Sequence, residues 1–426
     1  MRRRLIVAAV LAFSALGSMP AIAKDDLLDT LAQKGVLTPE EYEKLKTQQK
    51  SEVIVDTSEG FKIVSVDNAN SLQIGTLLQL DLAQYSDDKA DLANGTELRR
   101  SRISTSGVVA KDWQYRFEYE FSGTAGVTDA YVAYNAFKPV IVTVGQFKQP
   151  IGMDALASDK NLTFMERGLP FAFIPPRAPG LMLGTSGYNW SLNGGVFGEP
   201  VGNASSGDEG FGLASRATFA PVLSNSQTLH LGLGAAWRKP TSNNSVDKLS
   251  SAVTFSSKPE SNITSVKFVN TGEIKNVQQY AIESLELAGQ IGAASVQGEY
   301  QTVQVKRETA STLKFSGWYT QVAYTLTGEK RPYKADKGVF DGIRPTNNFG
   351  RDGWGAFEVA ARISGIDLSD DIVTGGKERN AAITFNWYLN PFMRVSANIV
   401  KVLKVEGGAV NDDEPTVFQM RAQLAL

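Results

Sequence analysis

The chain has no cysteine and a single histidine. The first absence excludes a disulfide scaffold, a thiolate metal site and a cysteine nucleophile. The second excludes a histidine metal cluster and leaves one imidazole, His230, as the base for any serine chemistry. After residue 23 there is no run of eighteen apolar residues, so no helix can cross a membrane. Positive charge is not in excess either: 43 basic residues stand against 45 acidic ones, and a nucleic-acid partner is not expected. No catalytic residue, cofactor or metal site is expected from this inventory.

What is present begins with an export signal. Arg2, Arg3 and Arg4 precede the apolar run Leu5 to Leu16, and Ala21-Ile22-Ala23 follows Pro20 as an A-x-A cleavage site. Residues 1–23 therefore read as a signal peptide. Its removal takes away three arginines and leaves 40 basic residues, a mildly acidic mature chain. Residues 24–52 read as a helical hairpin, with Gly35 as a stop and Thr38-Pro39-Glu40-Glu41 as a capping box. That segment is either a solvated spacer or a periplasmic coiled coil that helps assembly.

From residue 60 to 426 the pattern is strand and turn. Tyr115, Phe117, Tyr119 and Phe121 alternate with Arg116, Glu118 and Glu120. Leu229, Leu231 and Leu233 alternate with His230, Gly232 and Gly234, and Phe418, Met420 and Ala422 with Gln419, Arg421 and Gln423. A soluble sandwich and a transmembrane barrel both give this period. Three features favour the barrel: the export signal, the pairs Trp113–Tyr115, Trp318–Tyr319 and Trp387–Tyr388 read as interfacial girdles, and a strand-like run up to Leu426. Some 365 residues accommodate about sixteen strands at about ten residues each. The expectation is an all-β, antiparallel transmembrane barrel with an aqueous lumen.

One stretch breaks the alternation. Residues 145–180 have no period of two, carry prolines near their end, and place Lys148, Lys160, Arg167 and Arg177 at intervals. A loop this long inside a compact domain is expected to be functional. The expectation is that it folds into the lumen and narrows it. By strand parity Arg116, Arg216, Arg362, Arg394 and Arg421 face the lumen, and Arg100 and Arg102 share a face opposite Ile103. Basic rings favour anions. Glu118, Glu120, Glu299 and Glu358 also face inward, so the wall arginines are expected mainly to form salt bridges. The loop cations are the better candidates for touching solute.

The motifs LRRSRI (98–103), KDWQYRFEYEF (111–121), GQFKQPIGMDALASDKNLTFMERGLP (145–170), GEYQ (298–301), SGWYTQVAYTLTGEKRPY (316–333), GAFEVAARISGIDLSD (355–370) and NWYLN (386–390) together resemble the phosphate-selective porins of the O and P type. The resemblance implies a homotrimer of sixteen-stranded outer-membrane barrels of a Gram-negative bacterium, with the third loop inside each lumen and small, phosphate-like anions as solutes. It matches Arg99 and Arg100 to the family's paired arginines, Arg167 to the loop's E-R pair, and Asp129 or Thr128 to a constriction acid. Thr76 and Ala155 stand where phosphate-selective members carry basic residues. The alternatives are a general porin of weak selectivity, a plugged structural barrel, a barrel enzyme built on His230, and a soluble sandwich.

Overall fold

A computed structural model describes residues 31–32, 34–49, 53–57, 60–201, 208–241, 251–351, 353–408 and 410–426. The signal peptide and the first part of the helical hairpin lie outside the described residues. Two units are distinguished, one of residues 1–54 and 64–68, the other of residues 55–63 and 69–426.

Among the described residues the smaller unit carries a helix, Pro39–Gln49. Its capping box forms as its sequence demands. The Thr38 N–H donates to Glu41 Oε2 at 2.9 Å, and the Glu41 N–H donates to Thr38 Oγ1 at 3.2 Å. Each satisfies a backbone donor that has no partner inside the helix.

The larger unit is a closed barrel of sixteen antiparallel strands. In chain order they are β1 Ser71–Ser86, β2 Gly95–Val109, β3 Trp113–Glu120, β4 Gly126–Tyr134, β5 Val140–Phe147 and β6 Ala178–Ser186. Next come β7 Trp190–Phe197, β8 Phe211–Leu223, β9 Gln227–Lys239, β10 Val277–Ile291 and β11 Ala294–Arg307. The last five are β12 Leu313–Thr325, β13 Ala356–Asp370, β14 Val373–Tyr388, β15 Met393–Glu406 and β16 Thr416–Ala425. Each strand pairs with the next, and β16 closes on β1 from Thr416↔Ser86 to Ala425↔Leu77. Closure matters because an open edge would leave backbone groups unsatisfied in hydrocarbon, at several kcal/mol each.

The alternation is inside-out. On β8, Gly212, Ala214, Arg216, Thr218 and Ala220 are buried while Leu213 and Phe219 are exposed. Leu233, Leu287 and Ile383 stay 57–63% exposed on the outer wall, an apolar coat that suits acyl chains. Apart from residues 326–355, short turns join the strands at one end, such as 110–112 and 292–293, and most of the connections at the other end are longer, such as 148–177. By that asymmetry the short-turn end is periplasmic.

Two expectations need correction. The unit is not strand and turn throughout: the 148–177 loop contains a helical turn, Met153–Leu156, and a 3-10 turn, Leu169–Phe173. The girdle reading holds for Trp113, exposed at the short-turn end of β3, but not for Tyr319 or Tyr388, which are buried. Each sits one residue after an outward tryptophan, and the pleat turns it inward.

Candidate functional site: the constricted lumen

The loop of residues 148–177 enters the barrel and is held there by wall arginines acting on its carbonyls. Arg421 Nη1 donates to Met165 O at 2.6 Å, Arg394 Nη1 to Leu162 O at 2.7 Å, and Arg362 Nη1 to Glu166 O at 2.9 Å. On the opposite wall, Glu299 accepts from the Met153 and Asp154 N–H groups at 3.1 and 2.6 Å and anchors the helical turn. Small wall residues make room for the loop. A Cβ on Gly234 would meet Ile151 at 3.1 Å, and one on Gly317 would meet Phe173 at 3.2 Å.

At the loop's centre Asp159 gathers cations. Its Oδ1 accepts from Arg167 Nη1 at 2.6 Å and its Oδ2 from Arg102 Nη1 at 2.6 Å, with Arg100 Nε 3.4 Å away. Burial alone would push this carboxyl up, but Arg100, Arg167, Lys148 and Arg102 outweigh it and hold it well below the ordinary carboxylate range. Glu166 behaves alike: burial raises it, and Arg99, Arg421 and Arg100 pull it far down. Lys148 is the converse. Burial, reinforced by Arg167, brings its pKa down to about 7, against the pull of Asp159. Its ammonium donates to Ala155 O at 2.7 Å and Ala157 O at 2.9 Å.

Two β-bulges aim side chains that a regular strand would waste. The β1–β2 register slips between Gln79 and Leu80, leaving Arg99 as the extra residue. Arg99 and Arg100 are sequence neighbours, yet both reach into the lumen, Arg99 to Glu166 at 2.8 Å and Arg100 to Gln79 Oε1 at 2.7 Å. The β3–β4 register slips between Glu118 and Tyr119, which puts both Thr128 and Asp129 inward. Thr128 Oγ1 donates to Glu118 Oε1 at 2.8 Å, and Asp129 binds Arg177 at 2.7 Å and Arg116 at 3.3 Å. Arg216 is paired with Glu286 at 2.6 Å. Arg421 is paired with Asp81, also at 2.6 Å. Lys160 is exposed. Thr76 sits on the outward parity of β1, its backbone paired with Leu426, so no side chain at 76 points into the lumen.

Sequence reasoning missed two further intrusions. From the long-loop end, residues 251–276 bring Glu260 to Arg362 at 2.6 Å and Ser364 at 2.5 Å, and Ser261 to Tyr85 at 2.5 Å. From the short-turn end, residues 326–355 bring Arg331 to Glu358 at 2.7 Å and Tyr333 to His230 at 2.7 Å, while Lys337 O accepts from Arg216 at 2.7 Å. That segment meets the constriction loop where Asn161 donates to Asp341. His230 is fully buried between Tyr333 and Glu286. The missed signal was length: both stretches lack alternation and exceed any ordinary turn.

Open volume flanks this waist. A cavity of about 270 Å³ at the short-turn end is lined by Lys160, Lys334, Asp341, Arg344 and Arg394. Another of about 560 Å³ lies toward the long-loop end beside Arg238, Glu199 and Pro176. A small separate void of about 20 Å³, room for about one water, lies beside Met153 and Arg331 where the constriction loop meets the wall.

The comparisons agree with this architecture. The barrel resembles the anion-selective porin from Comamonas acidovorans (TM-score 0.55, 13% identity, 84% of this chain and 100% of that one). It also resembles OmpT, an outer membrane protein of Vibrio cholerae (TM-score 0.55, 12% identity, 84% and 98%). At such identities the likeness concerns the fold. In sequence the chain is 26% identical to Porin O of Pseudomonas aeruginosa over 396 residues, covering 83% of this chain and 88% of that one. It is 30% identical to an uncharacterized protein of Caulobacter vibrioides over 319 residues, 71% of this chain and 62% of the other. The sequence profile of the family described as phosphate-selective porin O and P matches residues 72–426. The chain therefore belongs to the phosphate-selective porin O and P family: it is an outer-membrane channel protein of a Gram-negative bacterium, not an enzyme.

Proposed function

We propose that this protein is a water-filled, anion-preferring diffusion channel for small phosphate-like anions, assembled as a homotrimer. The observation that carries the preference is the layering of charge in the lumen. At Arg116, Arg177 and Arg99 the paired base is nearer the water than its acid, whereas the deeper pairs Arg421–Glu166 and Arg238–Glu199 hide the base instead. The Arg116 side chain is 32% exposed against 9% for Glu118 and 14% for Asp129. Arg177 is 23% exposed against 14% for Asp129, and Arg99 21% against 16% for Glu166. A passing ion senses the nearer charge more strongly, since Coulomb energy falls with distance and with screening. Lys160, exposed beside the periplasmic cavity, extends the cationic layer.

The trimer is supported by strand length. β3 to β7 have only eight or nine residues, where β10 to β15 have 13–16. At ordinary strand rise and tilt, eight residues climb about 21 Å, short of an apolar band about 25 Å tall. The low wall, carrying outward Trp113, Phe117, Val144, Leu183 and Leu192, is the face that neighbouring copies cover.

The test is the reversal potential in planar bilayers under chloride and phosphate gradients. Anion preference is expected, and Arg116→Gln, which removes the most exposed of these paired arginines, should assemble and lower it. Absence of channels would favour a plugged barrel instead. A pH dependence follows from Lys148. Its charge is present below about 7 and lost above, so anion preference should fall as pH rises through that value. In Lys148→Met the step should vanish.

A further inference from the structure

We propose that the outer wall of β13, β14 and β15 binds the phosphate groups of a phosphorylated glycolipid in the outer leaflet. Four cations, Lys377, Arg379, Lys401 and Lys404, point outward there near the long-loop end. Arg379 and Lys404 are direct cross-strand partners, and Lys401 lies next along β15, opposite Ala381. Like charges facing each other across a ladder are destabilising unless something anionic lies between them.

The protein supplies part of that anion, for two of the four cations. In the adjoining register row, Asp367, Lys377 and Glu406 stand in line across the three strands. Asp367 pairs with Lys377 at 2.8 Å, and Glu406 pairs with Lys404. Both acids are thus engaged. Among the described residues no carboxylate forms an ion pair with Arg379 or Lys401, although the Lys401 ammonium donates to the Glu414 carbonyl. The ladder is adapted to show these charges: its register slips between Arg379 and Asn380, so the adjacent Leu403 and Lys404 are both exposed.

Depth identifies the occupant. Directly below the cations the same strands expose Ile383 and Ile399 to the acyl region. The cations therefore lie where the hydrocarbon ends and headgroups begin, on the face of the membrane that the long loops mark as external. Lys314 on β12 and Lys306 on β11 are also exposed near the long-loop end. The low wall of β3 to β7 shows no comparable cluster. A phosphate diester or monoester at this height accepts charge-assisted hydrogen bonds from guanidinium and ammonium together.

The experiment uses the full-length trimer in detergent. Binding of a bis-phosphorylated lipid A is compared with its dephosphorylated form and with phosphatidylglycerol micelles, by native mass spectrometry and by the temperature at which the folded trimer dissociates. The phosphorylated glycolipid is expected to bind and raise that temperature. Arg379→Gln/Lys401→Gln/Lys404→Gln should weaken its binding at least tenfold while conductance stays at the wild-type level. Lys111→Gln/Lys138→Gln, at the short-turn end, should bind as wild type. Equal binding of the dephosphorylated lipid, equal binding of phosphatidylglycerol, or unchanged binding by the triple variant would each overturn the proposal.

Discussion

Ile383→Arg should prevent the protein from accumulating as a folded barrel. Ile383 is 63% exposed on the outer face of β14, between Ala361 and Ile399 on the neighbouring strands. Nothing polar is offered to a guanidinium there. A cation near the bilayer midplane on such a face costs about 2–4 kcal/mol, roughly a 30- to 700-fold change in the folded fraction at 1.4 kcal/mol per decade. Against a net stability of about 5–15 kcal/mol that is a large share. Ile383→Val keeps the face apolar and is the control. The readout is the heat-modifiable band in membrane extracts, expected to fall sharply for Ile383→Arg and to persist for Ile383→Val. A normal yield of the arginine variant would mean that this face does not meet lipid. The same charge is tolerated at Arg379, two turns of the pleat higher, because the cost falls to about 0–1 kcal/mol near the interface.

Asp159→Asn should produce the largest change in the pore itself. Three guanidiniums, those of Arg100, Arg102 and Arg167, lean on one carboxylate that is 5% exposed. Removing one partner from a buried ion pair costs about 3–5 kcal/mol, because the remaining charge is left without its counter-ion. The lumen gains a positive charge at its waist, and the constriction loop loses the group that ties β2 to its own Arg167. We expect a reversal potential shifted further toward anions, noisier single channels and a lower dissociation temperature. An unchanged reversal potential would show that solute does not sense this cluster. Acid should not imitate the substitution at pH 4. The folded-state pKa of Asp159 is depressed, so its stabilisation is fully present above the ordinary aspartate value of about 3.9 and is lost only as pH falls through the lower folded value.

The wall was readable because its chemistry is periodic. Phe117 against Arg116, or Leu231 against His230, differ in polarity at every step, and a period of two has one geometric meaning in a strand. The constriction loop was readable because it interrupts that period. The bulges were not. Whether Arg99 points in or out depends on one inserted residue opposite Gln79, and parity alone assigns Arg99 and Arg100 to opposite faces. The inward segments around Glu260 and Arg331 were missed because their apolar and polar residues follow no repeat. Their partners, Arg362 and Glu358, lie 102 and 27 residues away in the chain.

The sequence by itself determined that the polypeptide is exported, closes into an antiparallel barrel, coats that barrel with apolar side chains and carries its charges within. Export is written in the N-terminal signal, and the barrel follows from local alternation taken together with that signal and the terminal strand-like run; none of these needs knowledge of distant partners. Only the tertiary structure decided which charges meet, which face water and which segments fill the lumen. Pairing depends on register, bulges and loop insertion, and each is settled by contacts between residues far apart along the chain.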